Sequence, residues 1–457
     1  MATRKDLLKA HSFITQRLIA ALVSHDPDNP EAPLRRLNVG MFVGVMIAIV
    51  VLAGFGLVGL IRPGNSTAWR TDKTVIIDST SGGVLVYLGG KLYPTRNITS
   101  AKLAAGSSDR VMTVKAAAMK DYPREATIGI PGAPGELPEA KDLGGYPIRT
   151  CSVVPAAGAA SPQRLTTLQI AEGAVPAGSV SLVARSAAGA EYLIAEGRAY
   201  PMPDHAIAIQ LGFAEQAITP GDAWLDALPK GPALEPVRIP NVGSPAAVPV
   251  GGRSGVVGTV FRVPGSDGSG GVYYVLLSDG LSEIAPLDAA VLQARDRARE
   301  VGTLTAQQAG AALSRQTPRL SDPALPATMP TRSHLPGLAD QSVCATWPAA
   351  GQLPRIAVGV PAPAVSARNP DSQVADAVHM PALRGALVKV EGSLGPDDPG
   401  TLITGGKRYG LADQAAKNAL GYGEVTPVTI PANLLRLVPE GLAPGRSLSI
   451  EDAIRVS

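Results

Sequence analysis

The sequence predicts a β-rich α+β protein: one N-terminal transmembrane helix carries a large extracytoplasmic domain of four hairpin-plus-helix repeats around a central β-rich domain. Three observations predict it. Residues 41–61 read MFVGVMIAIVVLAGFGLVGLI, without a charge. Four later segments align with one another, each an apolar β-type run, a Gly-containing turn, a second short strand and an Ala/Leu helix. Gly (50) and Pro (41) together make 91 of 457 residues while aromatics make 4%, which describes a turn-rich chain with an aliphatic core.

The N-terminal segment 1–38 comes first. Leu7, Ile14, Leu18 and Leu22 recur at helical spacing, with His11 in the same row, and Leu8 and Ile19 widen the stripe. Thr3 and Asp6 have capping-box spacing, with Asp where Glu or Gln is usual. The Pro- and acid-rich stretch Asp26–Pro33 stops the helix. A short helix with a solitary apolar stripe has no core of its own to cover, so it docks on a partner or lies on a membrane; the alternative is a partly disordered tail.

The apolar run, taken as a transmembrane helix over 39–61, follows. About 21 residues at 1.5 Å each span a hydrocarbon core of roughly 30 Å. A cleaved signal peptide has a shorter apolar region and a shorter lead-in, although Ser66 and Ala68 imitate a cleavage site. Arg4, Lys5, Lys9, Arg17, Arg35 and Arg36 precede the span and Arg62 follows it, which orients the N-terminus to the cytoplasm. Gly40 and Gly44 have G-x-x-x-G spacing, read either as a helix-packing site or as lipid-facing coincidence.

The repeats are 84–106, 191–213, 272–294 and 401–423. Their turns fall at Gly90, Gly197, Gly280 and Gly406, and Tyr93, Tyr200 and Tyr409 occupy one position, where Glu283 breaks the match. Residues 217–234 and 428–445 share a further phrase with a Pro-led helix start and an L-P-x-G or V-P-x-G exit. The turn glycines are 107, 83 and 126 residues apart, too irregular for a solenoid or propeller. Residues 107–180 and 340–400 match no repeat and hold both cysteines, so they form a central region from two distant stretches. Residues 312–340 are Pro/Ser/Thr-rich and read as an exposed connection. The resulting division is 1–38, 39–61, repeat 1 at 62–106, the first central stretch at 107–180, repeat 2 at 181–240, repeat 3 with its connection at 241–340, the second central stretch at 341–395, and repeat 4 with the C-terminal segment at 396–457. Cys151 and Cys344 lie on the same side of the span. In an oxidising compartment a disulfide is favoured; two buried free thiols is the alternative.

The sequence offers no catalytic, cofactor or metal constellation. Histidines at 11, 25, 205, 334 and 379 form no H-E-x-x-H, two cysteines so far apart make no C-x-x-C, and no G-x-S-x-G occurs. Gly89-Gly90-Lys91 and Gly405-Gly406-Lys407 imitate phosphate loops. However, Leu85 and Thr401 stand where the first glycine belongs, and Leu92 and Arg408 where the hydroxyl belongs. Gly251-Gly252-Arg253-Ser254-Gly255 lacks a following helix. A net charge of +3 without a basic stripe excludes a nucleic-acid binder.

The phrase AHSFITQRLIAALVSHDPDNPEAPLRR before a single span resembles the EccB family, a core membrane component of the type VII (ESX) secretion system. So do GGVLVYLGGKLYPTRNITSAKLAAG, YYVLLSDGLSEIAPLDAAVLQA and KRYGLADQAAKNALGYGEVTPVTIPANLLRLVPEGLAPG, with Cys151 in RTCSVV and Cys344 in SVCATW. The resemblance implies a periplasmic domain of four repeats around a β-rich centre, residence in the inner membrane, and association with EccC, EccD and EccE, with the mycosin protease nearby and with further copies of the chain. It implies a structural subunit of the secretion channel. ATP hydrolysis has been ascribed to the family, so an extracytoplasmic ATP-hydrolysing component is the alternative, and a cell-wall binding module is a third reading.

Overall fold

A computed structural model describes residues 3–24, 35–61, 67–155, 163–265, 270–295, 302–326, 328–332, 335–365, 367–393, 395 and 398–456. The Asp26–Pro33 stop, Arg62, Ser66, His25, His334 and the side chains of Arg35 and Arg36 lie outside the described residues. The fold is α+β and strand-rich. The chain divides into two compact units, one of residues 1–71, 78–82 and 113–122, and the other of the remainder.

The first unit holds helix α1 (Arg4–Ser24) and helix α2 (Arg35–Ile61). At the N-terminus of α1 Asp6 reaches back to accept from the Thr3 amide (3.0 Å) and hydroxyl, which is one half of a capping box and holds the Asp6 carboxyl below its ordinary range. At 27 residues α2 is about 40 Å long. Its segment Asn38–Leu57 has a mean hydropathy of 2.5 and no part of it is buried. It is the one helix among the described residues long and apolar enough to cross a membrane.

Four sheets of one topology follow. The first repeat has strands Thr74–Asp78, Val84–Leu88, Lys91–Thr95 and Val111–Val114 with helix α3 (Ile98–Ala105). The second has Leu182–Arg185, Glu191–Ala195, Arg198–Met202 and Ala217–Ile218, with α4 (His205–Leu211) and then α5 (Asp222–Ala227). The third has Val260–Val263, Val272–Leu277, Gly280–Ile284 and Gly302–Thr303, with α6 (Pro286–Arg295) and α7 (Ala306–Ala311). The fourth has Gly385–Val390, Thr401–Thr404, Lys407–Gly410 and Val428–Ile430, with α8 (Gln414–Ala419) and α9 (Ala432–Arg436); α10 (Ile450–Ala453) follows it. In each sheet three strands form an antiparallel meander and the fourth returns beside the first. That return is parallel in the last three repeats.

The hairpin and helix legible in sequence are therefore the middle of a larger unit, with a strand before them and one after. Local chemistry fixes the middle. Gly89 and Gly90 (φ 55° and 83°), Gly405 and Gly406 (56° and 73°), and Glu196 with Gly197 (50° and 75°) have the paired positive φ of two-residue turns that match strand twist. Asn97, Asp204 and Asp413 cap α3, α4 and α8 through their side chains. In the third repeat Pro286 opens α6, and the Ser321 hydroxyl accepts from Ala285 N–H (2.7 Å) in place of a cap.

A second feature recurs in all four repeats, although sequence displayed it in two. The outer strand is covered by a parallel return segment. Leu92, Ala199, Leu281 and Arg408 donate their amides to the carbonyls of Pro123, Pro229, Ala312 and Pro439, and accept in turn from Glu125, Gly231, Ser314 and Gly441. The shared exit phrase is this segment. Its glycine is fixed by the tyrosine one residue on: a Cβ at Gly231 would lie 2.3 Å from the Tyr200 ring, and one at Gly441 2.1 Å from the Tyr409 ring. Tyrosine and glycine are thus a complementary pair.

This register corrects the alignment of the third repeat. Gly280 pairs with Leu277, so the turn is Ser278-Asp279, and Gly280 opens the strand. Ser282, not Glu283, holds the tyrosine register, opposite Ser314 of the return segment. Gly280 is glycine because a Cβ there would lie 2.6 Å from the Ala312 carbonyl oxygen. The 312–340 stretch is also less exposed than expected. It supplies that return segment, and Ser314, Leu325 and Leu338 are buried.

A fifth sheet lies at the centre, ordered Arg355–Val358, Val343–Trp347, Ile148–Val153, Leu165–Ile170, Ala377–His379. Its three middle strands are buried at every residue, so both faces are covered. One face joins the second and fourth repeats in a single apolar core that includes Trp224, Trp347, Leu434 and Val438. There α5 packs on α9, the helices of the two shared phrases, and Asn433 Nδ2 donates to the Ala227 carbonyl. The remaining repeats attach outward. Helix α6 packs on α4, with Gln210 Nε2 donating to Gln293 Oε1 (2.9 Å), and α3 packs on α8 and α10.

Gly441→Ala is expected to lower stability by about 1–3 kcal/mol, because the methyl meets the Tyr409 ring. Gly441→Ala with Tyr409→Leu should recover some of that loss in urea denaturation. An additive double variant would show that the two residues do not form a pair.

Candidate assembly surfaces

Two of the sequence-selected features are displayed and one is buried. Leu7, Ile14, Leu18 and Leu22 of α1 are 67%, 60%, 58% and 72% exposed. Leu8 and Phe13 are exposed with them, and the Arg17 guanidinium lies 5.5 Å over the Phe13 ring. Phe13 escaped the sequence stripe because it lies off the i, i+4 row. Among the described side chains of this helix Ala20 is the buried exception. Gly40 and Gly44 lie on α2, and a Cβ at either would meet nothing within 4 Å.

Cys151 and Cys344 occupy opposed positions on the paired strands Ile148–Val153 and Val343–Trp347, and their sulfurs are bonded. Both residues are fully buried, against Val153, Leu165 and Val365 on the sheet face away from the large core. The bond closes a separation of 193 residues, which the chain-entropy model values at about 5 kcal/mol.

Two further anchors of this sheet have no sequence signature. Trp224 Nε1 donates to the Thr150 carbonyl (3.2 Å), fastening the second repeat to the central strand. Arg164 is buried and donates to the carbonyls of Ser152, Leu338, Ala339 and Gln341 at 2.9–3.1 Å. Desolvation lowers its pKa from the ordinary arginine value. One guanidinium thus ties the first central stretch to the second. A surface arginine reads the same in sequence.

The phosphate-loop imitations resolve as hairpin turns. Lys91 opens its strand and pairs with Glu125 on the return segment (2.6 Å), which raises its pKa. Lys407 opens the equivalent strand. Neither turn leads directly into a helix; each leads into a strand. Gly251 and Gly252 form a tight turn closed by Val250 and Arg253. His205 sits at the start of α4, 2.9 Å from the Glu191 carboxylate, which Arg185 also contacts at 2.6 Å. His379 ends the edge strand of the central sheet. Among the described residues no group of three or more His, Cys, Asp or Glu is placed to hold a metal ion.

The family model described as "Type VII secretion system ESX-1, transport TM domain B" matches residues 1–456. The chain is 27% identical to the protein named "ESX-5 secretion system ATPase EccB5" of Mycobacterium tuberculosis, over 94% of this chain and 90% of that one. It is 29% identical to "ESX-3 secretion system ATPase EccB3" of Mycolicibacterium smegmatis, over 62% and 56%. Among solved structures it resembles a chain of an intact ESX-5 inner membrane complex, with TM-score 0.64 and 26% identity, covering 100% of this chain and 96% of that one. It also resembles a chain of the EccB3 dimer from the ESX-3 core complex, with TM-score 0.62 and 25% identity, over 84% and 100%.

Replacing Cys151 or Cys344 with serine is expected to lower stability by several kcal/mol in chemical denaturation. Non-reducing peptide mapping of the native protein should recover one linked pair. Two alkylatable thiols in folded protein would contradict the bond.

Proposed function

The chain belongs to the EccB family of type VII (ESX) secretion systems, and on that basis we propose how it serves as a structural subunit of the secretion membrane complex. Helix α2 anchors it in the inner membrane. The N-terminus lies in the cytoplasm, and the repeats and central sheet form an extracytoplasmic scaffold. The observation that carries this reading is likeness over the whole chain, anchor included, to a chain of an intact ESX-5 inner membrane complex. A disulfide at the centre of the large domain supports the oxidising side of the membrane for that domain. Lysine and arginine before the span support the same orientation.

Helix α1 is the docking element. Its leucines and Ile14 stand exposed, and burying one such side chain contributes roughly 1.5–3 kcal/mol. Its partner is EccC or EccD, with EccE and the mycosin protease elsewhere in the assembly and further copies of this chain beside it. Gly40 and Gly44 leave open space on α2 for a close helix approach within the membrane.

A second reading is favoured by one observation: several relatives carry the word ATPase in their names. Against it stands the local geometry of the two G-G-K segments, which are turns between antiparallel strands. Phosphate cradles of the P-loop kind join a strand to a helix.

Two experiments test the proposal. A reporter active only outside the cytoplasm should be active when fused at the C-terminus and silent when fused before Met41; the reverse pattern refutes the orientation. Ile14→Asp with Leu18→Asp should release EccC or EccD from the detergent-extracted complex while membrane insertion persists, and normal assembly and secretion of this variant would refute the docking helix. Purified protein with ATP and magnesium separates the second reading, since turnover that falls in Lys91→Ala or Lys407→Ala favours the hydrolase.

A further inference from the structure

Asp288 lies in the first turn of α6 and is 1% exposed. Its neighbours along the helix belong to two different cores. Leu287 and Val291 join the core of the second repeat, with Ala208 and Leu211 of α4. Ala289 and Leu292 join the core of the third repeat's own sheet, with Val260 and Val275. The segment that follows the third repeat straddles the same seam, with Leu320 in the latter core and Leu325 in the former. Ser321 and Asp322 lie between those two leucines. The carboxylate therefore sits where the third repeat is fastened to the second, beside the segment that closes the joint.

A negative charge is poorly served at this seam. Neither carboxylate oxygen of Asp288 reaches solvent or makes a hydrogen bond of ordinary geometry. The Ser321 hydroxyl and the Ala285 amide stand close and favour the charge in part. However, the Ala285 N–H is donated to Ser321 Oγ (2.7 Å). The elements packed on α6 bring no cation to the carboxylate. Helix α4 carries His205, which is on Glu191. The sheet beneath α6 carries Arg262, on the Gly270 carbonyl, with Tyr273 and Tyr274. The connecting segment brings Arg319 and Asp322, and among the described residues Asp322 is the charged side chain that acts on Asp288. Burial raises the Asp288 pKa above the ordinary carboxylate range, and the like charge of Asp322 adds to the rise. The helix N-terminus favours an anion, and desolvation outweighs it.

We propose that Asp288 is a proton-operated latch between the second and third repeats. Protonated, it is a neutral side chain packed in the seam, and the joint is tight. Ionised, it places an unpaired charge between two apolar cores, and α6 loosens together with residues 318–325. The folded protein holds this proton to higher pH than the open chain does. The contribution of Asp288 to the joint is therefore full below the ordinary carboxylate range, and it is lost as the pH rises through the point at which the folded protein releases the proton. Neither the membrane anchor nor the docking of α1 enters into this latch.

Hydrogen–deuterium exchange with mass spectrometry on the full-length, detergent-solubilised protein tests it, comparing wild type with Asp288→Asn at matched pH. Asparagine keeps the shape and removes the charge. Near neutral pH the α6 and 318–325 peptides of Asp288→Asn are expected to exchange several-fold more slowly than those of wild type. The difference should vanish as the pH falls into the ordinary carboxylate range, where both side chains are neutral. Peptides of the first and fourth repeats should exchange alike in both proteins. Should Asp288→Asn misfold by circular dichroism, Asp322→Asn is expected to slow exchange of the same peptides near neutral pH and not in acid. Equal exchange at every pH, faster exchange in the folded variant, or a difference that does not change with pH overturns the proposal.

Discussion

The large domain is organised by the antiparallel pairing of Ile148–Val153 with Val343–Trp347. These strands come from stretches almost two hundred residues apart, and every residue on both is buried. Closing so long a loop costs chain entropy that local contacts cannot return. Three things hold the closure: the ladder itself, the Cys151–Cys344 bond, and the Arg164 guanidinium on carbonyls of both stretches. Once closed, the pairing presents one face on which the second and fourth repeats meet, and those two carry the third and first.

Each repeat solves an edge problem in the same way. A three-stranded meander leaves an outer strand with free amides and carbonyls, which invites pairing with another chain. The return segment occupies that edge in all four repeats. Its approach is close because glycine faces tyrosine in the second and fourth copies. In the third copy small residues replace both members, Ser282 and Ser314, and the segment still pairs. The backbone geometry is thus shared more strictly than the side chains that fill it.

A scaffold of this kind suits a subunit of a membrane assembly. The outer strand of each repeat is covered, while the apolar surface it displays is concentrated on α1 and α2. A lone exposed leucine on a domain surface is ordinary. A row of four on one helix is the feature on which the docking role proposed for α1 rests.

What could be read from the chain is what local chemistry dictates. The span follows from an uncharged run of sufficient length, the α1 stripe from helical spacing, and the hairpins with their following helices from the turn glycines and the Ala/Leu runs. Those choices are made within a few residues, so a reader of the chain can make them too. The family resemblance was legible for the same reason. It took the folded chain to show which distant strands pair, that Gly231 and Gly441 face tyrosine rings, that Ser282 and not Glu283 stands in the tyrosine register, and that Arg164 bridges carbonyls of distant segments. The short closing strands, two residues long in Ala217–Ile218 and Gly302–Thr303, carry no period of their own. They become strands because a partner strand offers hydrogen bonds across space, and that offer is not written in neighbouring residues.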